Sequence, residues 1–253
     1  MSVIRQYKLS SQVAGAQNIQ VLVADGFNSR RRQSGLVVYC HGSGEQEIAT
    51  TNDVVKEPVI QALIDDGLIV LSCYAHGNEW GSPQSVTDYV NAIAYSVARW
   101  RANDVLIFSQ SMGGLAGLNL FANNLIPNVR GWAGIYPVTD LARIWAVNPT
   151  YREVIRTVYG IDVGGTDYAT KTAGSDPNLF SNSVWSGKRM RFWASPDDTI
   201  VTKANHTDIL AAKALAGGAI EAGVITCSGQ HGDASHFQPD DFLDFVHRCN
   251  MGR

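Results

Sequence analysis

The chain has 253 residues, of which 45% are hydrophobic and 17% are charged, and its formal net charge is −3. This length and composition suffice for one large hydrophobic core, so we expect a single domain over residues 1–253. They argue against nucleic-acid and membrane partners, because the basic triplet Arg30–Arg32 lies beside a predicted turn and no apolar run reaches the roughly 18 residues of a membrane span.

The amino-terminal segment Met1–Leu9 mixes polar and apolar residues and lacks the apolar centre of a signal peptide. We therefore expect a cytoplasmic protein, and a secreted or phage-associated one stays open. The runs Val3–Leu9 and Ile19–Ala24 are predicted to form a hairpin at the edge of a sheet. No pair of cysteines has C-x-x-C spacing, which disfavours metal and redox sites.

Short runs rich in apolar residues are predicted as the strands of this sheet. Several of them are almost continuously apolar, as strands are when helices cover both faces of a sheet. In chain order they are Ile19–Ala24, Leu36–His41, Leu68–Tyr74, Val105–Ser109, Val129–Tyr136, Arg189–Ala194 and Ala219–Cys227.

Longer stretches with apolar residues three and four apart are predicted as helices between these strands. In chain order they are Asn52–Asp66, Val86–Arg101, Leu115–Phe121, Lys203–Leu215 and Asp240–Cys249. Alternation of strands and helices predicts an α/β fold with a mostly parallel central sheet flanked by helices.

One connection, between Tyr136 and Lys188, has no clear strand. Connections of this length are uncommon without a function of their own. We interpret residues 138–187 as a small helical cap or lid, and an ordinary pair of helices with a loop is the alternative.

The residues with the clearest chemical pattern are 105–114, which read Val-Leu-Ile-Phe-Ser-Gln-Ser-Met-Gly-Gly. A strand that enters Ser-x-Ser-x-Gly-Gly before a helix resembles the nucleophile elbow of the α/β-hydrolase superfamily, with Ser109 in place of the first glycine. The resemblance implies the α/β-hydrolase fold and a nucleophilic Ser111, whose hydroxyl stands at the tip of a tight turn. Ser109 is expected to make local hydrogen bonds.

A second motif lies at the end of an earlier strand, where Leu-Val-Val-Tyr-Cys leads into His41-Gly-Ser-Gly44. In the superfamily this loop supplies one oxyanion-hole N–H, and the residue after the nucleophile supplies the other. The resemblance therefore implies Ser43 and Met112 as oxyanion donors. Gly42 and Gly44 are expected to let the backbone approach the substrate.

The acid of a catalytic triad is expected after the strand Arg189–Ala194. Two neighbouring carboxylates, Asp197 and Asp198, follow that strand. The stretch Asp-Thr-Ile beginning at Asp198 resembles the acid loop of bacterial cutinase-like polyester hydrolases, which favours Asp198. Counting from the strand end favours Asp197, which stays the alternative.

Two histidines in the loop after the last strand compete for the role of general base. Ala-Ser-His-Phe-x-Pro around His236 resembles the cutinase-like branch, whereas His231-Gly232 resembles the prolyl-oligopeptidase-like branch. The first resemblance favours His236, with His231 as the alternative.

The resemblance implies a serine hydrolase that cleaves carboxylic esters through an acyl-enzyme, with small-molecule ester substrates, no metal and no cofactor. Short acyl groups such as acetyl are expected, and Trp80 is a candidate wall of the substrate pocket. A peptidase or acyltransferase on the same triad is the first alternative, and a non-catalytic binding protein with the same fold is the second.

Overall fold

The structure is a computed structural model that describes residues 5–14, 17–27 and 35–252. The basic triplet Arg30–Arg32 and the first two residues of the predicted strand Val3–Leu9 lie outside the described residues. No helix in the described ranges is both long and apolar enough to span a membrane.

Eight strands form one sheet in the order β1-β2-β4-β3-β5-β6-β7-β8. The first two form the predicted antiparallel hairpin at one edge, and β3 to β8 run parallel. The carboxyl ends of these six strands therefore meet at one edge of the sheet. The strands are β1 Arg5–Ala14, β2 Gln17–Val23, β3 Leu36–Cys40, β4 Ile69–Cys73, β5 Val105–Gln110, β6 Val129–Ile135, β7 Arg189–Ala194 and β8 Glu221–Thr226.

Helices connect the parallel strands, as the alternating pattern predicts. They are α1 Ala49–Asn52, α2 Glu57–Asp65, α3 Pro83–Trp100, α4 Gly113–Ala122, α5 Leu141–Val147, α6 Pro149–Tyr159, α7 Tyr168–Lys171, α8 Thr207–Ala216 and α9 Pro239–Arg248. Within the predicted helix Asn52–Asp66, α2 begins only at Glu57, and Asn52 is the last residue of α1. The carboxylate of Asp53 accepts the N–H of Val55 and forms a turn, after which α2 restarts with a proline in its first turn.

The central strands β3, β4 and β5 are buried on both faces of the sheet, which explains their almost continuous apolar sequences. On one face Val38 and Ile107 pack with residues of α3, α4 and α8, and on the other Val37 and Leu106 pack with residues of α2 and α9. Burying one such aliphatic side chain contributes about 1.5–3 kcal/mol to the free energy of unfolding. Two apolar layers thus hold the strand ends in a fixed arrangement.

The segment predicted as a cap, residues 138–187, carries α5, α6 and α7. Its apolar residues form a third cluster with Trp80 and Met112, and the hydroxyl of Tyr159 donates to the backbone oxygen of Trp80 over 2.9 Å. The segment therefore packs directly beside the turn at Ser111. Its function as a lid stays a prediction.

Candidate active site

Ser111 occupies a sharp turn between β5 and α4. Its φ is +48°, a left-handed conformation that costs energy for a residue with a side chain and that recurs at functional sites. Two backbone bonds fix the turn: the N–H of Ser111 donates to Ile135 over 3.1 Å, and its carbonyl accepts from Val138 over 2.8 Å. The predicted elbow geometry is therefore present.

Glycine is required immediately after this turn because neighbouring backbone comes very close. A Cβ on Gly113 would lie 2.1 Å from the carbonyl oxygen of Cys40, and one on Gly114 would lie 2.5 Å from that of Val138. The elbow thus touches the end of β3, which brings the His-Gly-Ser-Gly loop next to Ser111.

Ser109 has the structural role expected for it. Its side chain is fully buried, and its hydroxyl accepts a hydrogen bond from the indole N–H of Trp132 over 3.1 Å. A hydroxyl enclosed in this way has no route to a substrate, so Ser111 is the serine presented at the edge of the sheet.

The imidazole that reaches Ser111 belongs to His231. Its Nε2 lies 2.9 Å from the Ser111 hydroxyl oxygen, and its Nδ1 lies 2.7 Å from Asp198 Oδ2. Serine, histidine and aspartate thus form one continuous hydrogen-bonded chain at the carboxyl edge of the sheet, the arrangement that activates a serine nucleophile.

His236, the favoured candidate for the general base, makes no hydrogen bond to Ser111, whereas His231, the alternative, does. His236 closes a short 3-10 turn, in which its Nδ1 lies 3.0 Å from the Asp233 carbonyl oxygen, and its side chain is completely buried. Among the residues that the structure describes, its Nε2 has no hydrogen-bond partner. The turn that precedes α9 directs this ring into the protein, whereas the loop at His231 passes over Ser111.

Of the two neighbouring carboxylates, Asp198 contacts His231. Asp197 is exposed to solvent, whereas Asp198 is buried, and Asp198 Oδ1 accepts the N–H groups of Ile200 and Val201 over 2.8 and 2.9 Å. Burial by itself raises the pKa of Asp198, but its bonds from His231 and from those two N–H groups outweigh burial, so its pKa lies below the ordinary value. Asp198 therefore stays ionised at neutral pH.

Two further contacts, one in the loop before His231 and one with its ring, help to position this histidine. The hydroxyl of Thr199 donates to the side chain of Gln230 over 3.2 Å and so ties the acid loop to the histidine loop. The ring of Tyr136, directly after β6, lies 4.4 Å from the His231 ring between centroids and 4.9 Å from the His236 ring. Sequence reasoning did not identify Tyr136, although it ends a predicted strand at the edge where the site lies.

Almost all N–H groups of the loop after β3 already donate to acceptors within the protein. Those of His41, Gly42, Gly44 and Glu45 donate respectively to the Tyr89 hydroxyl, the Glu45 carboxylate, the Asn78 side chain and the Gly42 carbonyl. Within the described ranges, no acceptor is recorded for the N–H of Ser43 or for that of Met112. These are the two donors that the sequence predicts for an oxyanion hole.

The predicted substrate-binding residues fit less well. The N–H groups of Gly42 and Gly44 are already bonded to Glu45 and Asn78, so neither is free to bind a substrate. Trp80 is only 1% exposed and packs against Tyr151 at a centroid distance of 4.7 Å. The indole is therefore covered by α6 and has little exposure to solvent.

The fold resembles solved structures at low sequence identity. No family model and no curated protein matches the chain. An esterase of Pyrococcus furiosus is 11% identical with a TM-score of 0.68 over 98% of this chain and 91% of its own. Carboxyl esterase 2 of the fungus Tuber melanosporum is 14% identical with a TM-score of 0.72 over 100% and 89%. A prolyl endopeptidase is 14% identical with a TM-score of 0.68 over 96% and 37%.

The chain has the α/β-hydrolase fold. In this α/β-hydrolase fold the elbow, the acid loop and the histidine loop all follow parallel strands, β5, β7 and β8. The sheet therefore brings together residues 111, 198 and 231, which are far apart along the chain.

A buried histidine beside the site is expected to make the stability of the protein depend on pH. His206 is 1% exposed, and its Nδ1 accepts the N–H of Thr139 over 3.3 Å, which requires that nitrogen to be unprotonated. Burial lowers the pKa of His206 to about 4 from an ordinary 6.5. The unfolded chain then binds more protons than the folded one between these values, so stability falls as the pH decreases through that window.

We expect His206 to account for a loss of about 2–3 kcal/mol in the free energy of unfolding between pH 7 and pH 4.5. His206→Asn, whose side-chain oxygen also accepts from Thr139, should be less stable than wild type at pH 7 but lose less on acidification. Urea unfolding at both pH values measures the difference, with the more exposed His247→Asn as the control. Equal losses in wild type and His206→Asn would contradict the assignment.

Proposed function

We propose that the protein is a serine hydrolase that cleaves carboxylic esters, with Ser111 as nucleophile, His231 as general base and Asp198 as the acid of the triad. The observation that carries the proposal is the unbroken hydrogen-bonded chain between these three side chains, with 2.9 Å and 2.7 Å between the joined atoms. An elbow serine with left-handed φ and its position at the carboxyl edge of the sheet support the same assignment.

The chemistry follows from the direction of this chain. His231 Nε2 takes the proton of the Ser111 hydroxyl as the serine oxygen attacks the acyl carbonyl carbon, and it then delivers that proton to the departing alcohol oxygen. The Asp198 carboxylate holds the imidazole in the tautomer that accepts at Nε2 and stabilises its cation. Water, activated by the same imidazole, attacks the acyl-enzyme and releases the acid.

The negative oxygen of the tetrahedral intermediate needs hydrogen-bond donors that are already oriented. We assign this role to the N–H groups of Ser43 and Met112, which have no recorded acceptor within the described part of the chain. Met112 lies directly before α4, where the helix amino terminus also favours negative charge.

Short acyl groups are the expected substrates. The cavity beside Met112, Gly113 and Trp80 has a volume of about 10 Å³, which is room for roughly one water molecule. A long acyl chain placed there would have to displace the buried indole and the helices that cover it. A small acyl group such as acetyl would displace fewer of these side chains than a long chain would.

A fluorophosphonate probe with mass mapping tests the proposal, run on wild type and on Ser111→Ala. We expect covalent labelling of wild type at Ser111 and none of the variant, together with hydrolysis of p-nitrophenyl esters that is fastest for acetate and slower for longer chains. Failure of wild type both to be labelled and to turn over any ester would support a non-catalytic binding protein. Fastest turnover of long chains would contradict the acetyl preference alone.

A peptidase is the second candidate, because the imidazole at Ser111 belongs to the His231-Gly232 pair that resembles the prolyl-oligopeptidase-like branch. Assaying p-nitroanilides of single amino acids beside the esters separates the two. Amide turnover with little ester turnover would favour the peptidase.

A further inference from the structure

We propose that Glu45 is a positioning residue that fixes the Ser43 and Met112 donors of the oxyanion site relative to one another. The inference rests on the function proposed above and extends it to a carboxylate outside the triad. Glu45 comes directly after the His-Gly-Ser-Gly loop, and its side chain is 19% exposed.

One carboxylate accepts hydrogen bonds from four parts of the chain. Its Oε2 accepts the N–H of Gly42 over 3.0 Å and the hydroxyl of Tyr39 over 2.8 Å. Its Oε1 accepts the side-chain amide of Gln110 over 3.0 Å and the ammonium of Lys56 over 2.6 Å. A carboxylate has about four acceptor positions, so this one is fully used.

These contacts join the two loops that carry the proposed donors. Gly42 immediately precedes Ser43, and Gln110 immediately precedes Ser111, so Glu45 connects the loop after β3 with the elbow after β5. Tyr39 lies between the two side chains, because its single O–H is within hydrogen-bond distance of both Glu45 Oε2 and Gln110 Oε1. Displacement of either loop would therefore break at least one contact of the same carboxylate.

The Glu45 charge requires compensation at this place. An isolated carboxylate near a developing oxyanion would repel it, and its partial burial would add a desolvation cost. Lys56 supplies the positive charge from the turn before α2, where its side chain is 1% exposed and also pairs with Asp53 over 2.6 Å. The Lys56 ammonium thus partly offsets the Glu45 charge, because it is shared with the Asp53 carboxylate.

Glu45→Gln tests the inference because it keeps the side-chain shape, removes the charge and replaces one acceptor oxygen with an NH₂ donor. Losing one oxyanion donor costs roughly 10²–10³-fold in kcat, and we expect a partly displaced donor to cost about 10–100-fold with KM changed less than about threefold. Inhibition by an aryl trifluoromethyl ketone, whose adduct with Ser111 carries an oxyanion, should weaken by a similar factor. An electrostatic effect alone would instead raise kcat when the negative charge is removed.

Glu221→Gln is the matched control. Glu221 starts β8 at the opposite edge of the sheet, is 10% exposed and pairs with Arg189, Arg191 and Arg248. The same substitution there removes a comparable ion-pair network, so we expect a loss of thermal stability with kcat close to wild type.

Should Glu45→Gln fail to fold, Gln110→Met removes only the contact between Glu45 and the elbow. We then expect a smaller fall in kcat at unchanged KM.

The outcomes separate this inference from the function on which it rests. If wild type turns over esters and kcat is unchanged in Glu45→Gln, the role of Glu45 alone is overturned. The same holds for an unchanged kcat in Gln110→Met if that variant replaces Glu45→Gln. A fall in kcat matched by Glu221→Gln at equal loss of stability also overturns it. Absence of both fluorophosphonate labelling and turnover in wild type overturns the proposed function and this inference together.

Discussion

Replacement of His231 by glutamine is expected to lower kcat/KM for esters by about 10⁴- to 10⁶-fold, the loss that follows when a serine hydrolase lacks its general base. The same substitution at His236 is expected to change kcat/KM by less than about tenfold, because its ring contacts neither Ser111 nor Asp198 by a hydrogen bond. Both histidines lie in one loop and contact the same Tyr136 ring. The comparison therefore isolates the contact with Ser111.

Steady-state kinetics with p-nitrophenyl acetate measures the two effects, and thermal unfolding of each variant serves as the control. His236 is fully buried, so its replacement is expected to reduce stability more than replacement of the partly exposed His231. Loss of activity only in His236→Gln would require a different arrangement of the loop after β8 and would remove the central observation of the proposed mechanism.

Asp198→Asn is expected to lower kcat by about 10³- to 10⁴-fold, because an amide favours the wrong histidine tautomer and cannot stabilise the imidazolium. The amide oxygen can still accept from Ile200 and Val201, which should preserve the loop. Asp197→Asn makes the same change on the neighbouring exposed carboxylate. We expect it to retain nearly wild-type kcat, because Asp197 does not contact His231.

The pH dependence of stability provides a second measurement for Asp198. Its pKa lies below the ordinary value in the folded protein, so its contribution to the free energy of unfolding is present above the unfolded pKa and is lost as the pH falls through the folded pKa. Asp198→Asn should therefore lose less stability on acidification than wild type does. An equal acid dependence of wild type and Asp198→Asn, or equal kcat losses in both aspartate variants, would contradict the assignment.

Much of the architecture followed from the sequence because its causes are local. Continuous apolar runs such as Leu36–Cys40 form strands covered on both faces, and Ser-x-Ser-x-Gly-Gly makes a turn because only small residues fit where β5 and α4 approach β3. The later start of α2 was missed because the side-chain turn at Asp53 interrupts a helical periodicity that otherwise continues.

The candidate site depended on longer-range contacts. His231 and His236 are five positions apart in one loop, and each lies in a short stretch that resembles a catalytic histidine motif. The decision lies in how the loop folds back: Gln230 bonds Thr199 beside the acid, while the 3-10 turn before α9 directs His236 inward. Neither contact is visible as a pattern in the chain.

The sequence by itself determined the layered α/β architecture and the presentation of Ser111, since periodicity and turn chemistry act within a few residues. Only the tertiary structure decided that His231 completes the chain to Asp198 and that Glu45 joins the loops of Ser43 and Ser111. These side-chain positions are set by packing between strands that are distant in sequence. A change in the conformation of the loop after β8 decides whether a histidine ring faces Ser111 or the core.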